Sequence, residues 1–159
     1  METLTIDFNQ LRKPTWSDQE MANVHLVIDF VQNLMNDHNF DYVLEKFNNA
    51  IYKQHSRGIP DGLPALVTYV KGLTKRFPEY TYDVKHVYAD GEFVIFHSHA
   101  TMNKKHRGND RKGFNIIDTW HIKDGKIAEH GDVIQPLDAF MRMFVWATGG
   151  AVKNDNGLF

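Results

Sequence analysis

Asp118 sits in the stretch Phe114-Asn115-Ile116-Ile117-Asp118-Thr119-Trp120, among apolar and aromatic neighbours. A carboxylate in such company loses solvation of its charged form. Its pKa rises, which suits proton transfer near neutral pH. His55, His97, His99 and His130 are the histidines that could join it. A cationic histidine would pull the Asp118 pKa back down, whereas a neutral one could donate to a developing enolate oxygen. A base held dry and a donor at an oxygen are what proton abstraction next to a carbonyl needs. Asp118, His130 and His97 are the candidate catalytic residues. His55, His99, Trp120 and Asp132 are candidates for contacting a substrate. Each also has an ordinary role open to it: an ion pair or cap for Asp118, structural hydrogen bonds for the histidines, a surface strand position for Asp132, the core for Trp120.

Convergence of these residues depends on strand register. A two-residue turn at Asp124-Gly125 sets Asp118 opposite Gly131. A three-residue turn, type I followed by Gly125 in a left-handed bulge, sets Asp118 opposite His130 and Ile116 opposite Asp132, and Lys-Asp-Gly-Lys favours it. A slip of one residue would turn Asp118 and His130 to opposite faces. His97 and His99 are two apart and share a face with Phe93 and Ile95. Symmetric closure of the basic connection 103–112 places His97 opposite Asp118, giving a row of His97, Asp118 and His130. His97 and His99 could also begin a metal site completed by His55, His130 or Asp118. No Cys and no His-Glu-x-x-His run supports that alternative, and no metal is assigned.

The elements that carry these residues follow from patterning. Residues 1–16 read as an irregular arm. Ser17 and Glu20 form a capping box for a helix whose apolar residues run from Met21 to Met35. A short helix covers Tyr42–Phe47, a Gly- and Pro-rich loop 56–62, and a third helix Leu66–Leu73. After Pro78 the chain alternates, predicting strands at 80–89, 93–102, 114–122 and 126–135. Leu137–Ala147 reads as a terminal helix and 148–159 as a loose tail. Helices followed by an antiparallel meander give an α+β fold, with a curved sheet wrapped over the N-terminal helices and a pocket at one end.

The 159 residues fit one domain, 1–159. The net charge of −2 gives no field for nucleic acid, and the basic connection lacks interleaved aromatics, so no nucleic-acid role is expected. The absence of Cys excludes disulfides and thiolate chemistry. The longest uninterrupted apolar run is 143–147, too short for a membrane span. A cytoplasmic protein without a membrane role is expected.

The ordered set Tyr52-Lys53-Gln54-His55, Pro60-Asp61-Gly62, Val94-Ile95-Phe96-His97-Ser98-His99, Ile117-Asp118-Thr119-Trp120 and Gly125–Pro136 resembles the SnoaL-like polyketide cyclases, within the superfamily of nuclear transport factor two and ketosteroid isomerase. The resemblance covers about Glu20 to Pro136. It implies a cone-shaped α+β barrel, a homodimer packed through the outer sheet face, and no cofactor. It implies an acid/base role for Asp118 in an intramolecular aldol condensation of a small hydrophobic carbonyl compound. Gly131 stands where relatives often carry Trp, which points to an enlarged pocket or an altered interface. A non-catalytic small-ligand-binding module and a metal-dependent enzyme remain the alternatives.

Overall fold

The computed structural model describes residues 4–48, 51–149, 153, 154 and 156. The remainder of the tail expected over 148–159 lies outside the described residues.

Ser17 caps the helix that follows it, and Glu20 reaches back to the Ser17 N–H, so the expected capping box forms. Helix α2, Asp18–Val31, buries Val24, Val27, Ile28, Phe30 and Val31, and continues as a π-turn over 32–36. Both ends are pinned to the sheet. Asn23 Nδ2 donates to Gly91 O at 3.0 Å, and Asn36 exchanges two hydrogen bonds with the Tyr82 backbone. The N-terminal arm is less irregular than expected. It holds a one-turn helix, α1, Phe8–Leu11, and Phe8 stacks on His25 of α2. Helices α3, Phe40–Phe47, and α4, Leu63–Arg76, complete the layer, and α5, Ala139–Thr148, follows the sheet.

The strands are β1, Lys53–Gln54; β2, Thr81–Asp90; β3, Phe93–Thr101; β4, Phe114–Lys123; and β5, Lys126–Pro136. Their order is β1-β5-β4-β3-β2. The architecture is α+β, as expected, but the sheet is mixed, because the short β1 pairs in parallel with β5. The sheet stays open with β1 and β2 at its edges, so the barrel implied by the resemblance does not close. The inner face carries Val94, Phe96, Ile116, Trp120 and Ile122 into a common core with α2 and α4. No helix among the described residues is long and apolar enough to cross a membrane.

Two register expectations are corrected. The β4–β5 turn has two residues, with Asp124 at φ 51° and Gly125 at φ 69°, the positive pair that a type I′ turn requires. One residue later the ladder shifts: Ile122 pairs with Ile127 but His121 with Glu129, leaving Ala128 as a bulge. Asp118 therefore lies opposite Asp132, and Trp120 opposite His130. The turn and the bulge together restore the parity that the expected turn would have given, so Asp118, His130 and Asp132 share the inner face. On the other side, β3 pairs with β4 so that Phe96, not His97, faces Asp118. The connection places a 3₁₀ turn at Lys104–His106, and Gly113 at φ 83° lies against the Ala100 carbonyl. That asymmetric closure is one residue off the symmetric one, and it turns His97 to the outer face.

A Cβ at Gly113 would stand 2.1 Å from Ala100 O. Gly113→Ala is therefore expected to destabilise the fold by about 2–3 kcal/mol. Urea denaturation checks this; an unchanged midpoint would contradict the β3–β4 closure.

Candidate active site

Strand β4 presents Ile116, Asp118 and Trp120 inward at period two, and β5 presents His130, Asp132 and Ile134 beside them. Asp118 is 3% exposed and His130 is 7% exposed. His130 Nε2 stands 3.1 Å from Asp118 Oδ1. Strand β1 supplies what holds the imidazole. Gln54, fully buried, accepts the Ser56 N–H at Oε1. The same Oε1 lies 2.9 Å from His130 Nδ1. Because the Ser56 N–H identifies that atom as the oxygen, Nδ1 must be the donor and carries a proton. A second proton is left to be shared between His130 Nε2 and Asp118 Oδ1.

Burial pushes the Asp118 carboxyl above the usual aspartate range. The hydrogen bond and charge of His130 oppose this, and the nearby Asp132 charge adds to it. Burial alone would lower His130, but the hydrogen bond and charge of Asp118, with Asp132, hold its pKa above the ordinary value. Each group thus favours the charged form of the other, while burial disfavours both charges. Asp118 Oδ2 has no hydrogen-bond partner within 3.5 Å among the described residues, and the Tyr82 phenol is near enough to Asp118 to favour its charge. An orphaned oxygen on a buried charge is costly unless something else meets it.

Asp118, Trp120, His130 and Asp132 line a cavity of about 620 Å³, together with Tyr52 and Tyr82. The rest of its wall is largely apolar, and it is open to solvent where exposed residues of α4 and α5 border it. Tyr52 Oη and Trp120 Nε1 are also buried without partners. Burial drives the Tyr52, Tyr80 and Tyr82 phenols well above their ordinary pKa, so they remain neutral donors. Three residues of the cavity wall thus carry one acceptor and two donors with no hydrogen-bond partner among the described residues.

The other expected residues lie elsewhere. His97 is on the outer face, 2.6 Å from Asn115 Oδ1, with its ring against His86. His99 donates from Nε2 to the Lys112 carbonyl at 2.7 Å. His55 gives its backbone N–H to His130 O, but its ring meets Glu129 at 3.0 Å on the outer face. The expected row of His97, Asp118 and His130 is therefore not formed. Of the metal set built on His97 and His99, Asp118 and His130 lie on the opposite face of the sheet, and His55 lies three strands away at β1. Asp118, His130 and Asp132 do offer ligand atoms within 4.8 Å of one another. Gly131 also faces outward, with Thr119 Oγ1 and His55 Cβ at 3.2 and 3.4 Å from a built Cβ. It admits His55 against the sheet edge and does not enlarge the cavity.

Sequence reasoning missed Gln54 and Tyr52. Both stand in the Tyr52–His55 motif, where attention fell on the histidine. Parity decides between them: Gln54 is level with His130 in the parallel pair, and its neighbour His55 points the other way.

The linkage has a definite sign. A His130 pKa raised on folding adds stability below the unfolded value, about 6.5, and loses it as pH rises through the folded value. A raised Asp118 likewise makes the native state lose stability as pH climbs above about 3.9. Asp118→Asn removes both the carboxyl and the support for the imidazolium. The stability of wild type relative to Asp118→Asn should therefore fall steadily from pH 5 to pH 9 in urea melts. A difference that grows with pH would contradict the proton-sharing pair.

A sequence profile of the SnoaL-like domain matches residues 27–130. No curated protein matches the sequence. Among solved structures, a candidate polyketide cyclase from Bacillus cereus ATCC 10987 has TM-score 0.64 and 19% identity, covering 88% of this chain and 89% of that one. AclR, a candidate hydroxylase from Streptomyces galilaeus, has TM-score 0.57 and 16% identity over 86% and 91%. A candidate ketosteroid isomerase from Kribbella flavida DSM 17836 has TM-score 0.56 and 11% identity over 74% and 80%. At these identities the likeness is one of fold.

Proposed function

The chain belongs to the SnoaL-like domain family, and we propose that it is a cofactor-free enzyme that removes a proton next to a carbonyl in a small hydrophobic substrate. The observation that carries this reading is Asp118 Oδ2, a buried oxygen on a residue of the cavity wall, without a hydrogen-bond partner within 3.5 Å among the described residues. His130 occupies Oδ1 and favours the ionised carboxylate against the effect of burial, and in that form Oδ2 supplies the lone pair.

The step balances simply. The substrate C–H bond breaks, its proton passes to Asp118 Oδ2, and the electron pair moves into the carbonyl as an enolate oxygen. Trp120 Nε1–H and the Tyr52 hydroxyl have no acceptor of their own and can donate to that oxygen. His130, left cationic beside a now neutral carboxyl, offsets the enolate charge. The expectation that His97 or His130 polarises the oxygen directly is replaced by this assignment. His97 faces away, and both His130 nitrogens are engaged. The enolate can then attack a second carbonyl or be reprotonated elsewhere, giving an aldol or an isomerised product. The names of the fold neighbours include a cyclase and a ketosteroid isomerase, and both reactions begin with this step.

On a substrate identified by screening cavity-sized ketones, Asp118→Asn should lower kcat by about 10²–10⁴. Trp120→Phe and Tyr52→Phe keep the rings and remove the donors, and at least one should cost about tenfold or more in kcat. Ligand binding that survives Asp118→Asn with turnover unchanged would overturn the reading.

A further inference from the structure

The charged residues of the cavity fall into an inner and an outer group. Asp118 and Asp132 stand on β4 and β5, buried and half-buried, and His130 is buried against Asp118 and offsets its charge. Arg57, Arg76 and Lys153 are all exposed, on the loop before α4, at the last turn of α4, and near Asn154. None of the three forms an ion pair with an acid among the described residues. Two of them are brought together by the backbone, since the Lys153 N–H donates to Arg57 O at 2.8 Å. Arg76 lies over the Phe144 ring at 5.3 Å, on the α5 side of the opening. Arg76 also suits a helix C-terminus, but Arg57 and Lys153 have no such helix end to serve.

In a protein of net charge −2, this places three cations without an acidic partner among the described residues at the solvent side of an apolar chamber whose inner end holds two acids and one histidine. A neutral substrate makes no use of that arrangement. We propose that the substrate is an amphipathic anion, a hydrophobic carbonyl compound carrying a carboxylate or similar acidic group, bound with its anionic end toward Arg57, Arg76 and Lys153 and its carbonyl end at Asp118. This rests on the cavity being the substrate site. The polarity fixes orientation. The acidic end of the substrate is drawn to the rim, and at the inner end it would meet Asp132, whose charge is not offset as that of Asp118 is by His130, so the reverse pose is disfavoured.

The test compares two dyes of nearly the same shape: the sulfonate 1-anilinonaphthalene-8-sulfonate and the neutral N-phenyl-1-naphthylamine. Fluorescence titrations are run on wild type and on the triple variant Arg57→Gln, Arg76→Gln, Lys153→Gln. Both dyes should bind wild type and displace each other. The triple variant should weaken the sulfonate about tenfold and leave the neutral dye unchanged. Raising the salt concentration should weaken the sulfonate on wild type and hardly affect it on the variant. If both dyes bind and the variant treats them alike, the anionic substrate is ruled out while the cavity reading stands. If neither dye binds wild type, the cavity reading fails and the inference falls with it.

Discussion

A carboxylate and an imidazole lie side by side in the core with a proton shared between them, and much of the inner architecture is arranged to keep that pair in place. Removing two ionisable groups from water costs several kcal/mol each unless their remaining atoms are met. His130 is met on both sides, by Gln54 and by Asp118. Asp118 is met on one oxygen only. A pair kept solely for stability would be expected to satisfy both, since breaking or half-satisfying a buried pair is more costly than replacing it with apolar residues. The bare oxygen is the physical reason for reading the site as functional.

The pair in turn explains features of the fold that look incidental. The two-residue strand β1 contributes little sheet, yet it delivers Gln54 beside His130 and lets the Ser56 N–H fix the amide orientation. The bulge at Ala128 puts His130 and Asp132 on the inner face despite a type I′ turn that, alone, would have turned them outward. Gly131 lets His55 close over the sheet edge without a clash, which supports the same β1–β5 pairing. Asn36 and Asn23 tie α2 to β2 and to the β2–β3 turn, so the floor of the cavity is held at both ends.

Helices α2 to α5, the four long strands and the α+β class were legible because apolar periodicity and turn residues state them locally, whereas the one-turn α1 carries no such pattern. The inner face of β4 was legible too, since Ile116, Asp118 and Trp120 alternate with residues of the other face. Register was not. The β4–β5 reading reached the correct face through a turn that does not form, because a second irregularity, at Ala128, left no mark in the sequence. The β3–β4 reading failed by one residue, and that single slip moved His97 and His99 out of the site. Gln54 was hidden for a different reason. A glutamine has no chemistry of its own to announce, and its role depends on a two-residue parallel pairing set by tertiary contacts.

The central claim concerns where two protons lie, and imidazole ¹⁵N NMR of selectively labelled protein reports this most directly. The account predicts that His130 Nδ1 stays protonated from pH 5 to pH 9 and that only Nε2 titrates, with a midpoint above that of an exposed histidine. A ring that is protonated at Nε2 and bare at Nδ1 near neutral pH would contradict it, because Nδ1 would then face the Gln54 oxygen with a lone pair and the arrangement that frees Asp118 Oδ2 would not exist.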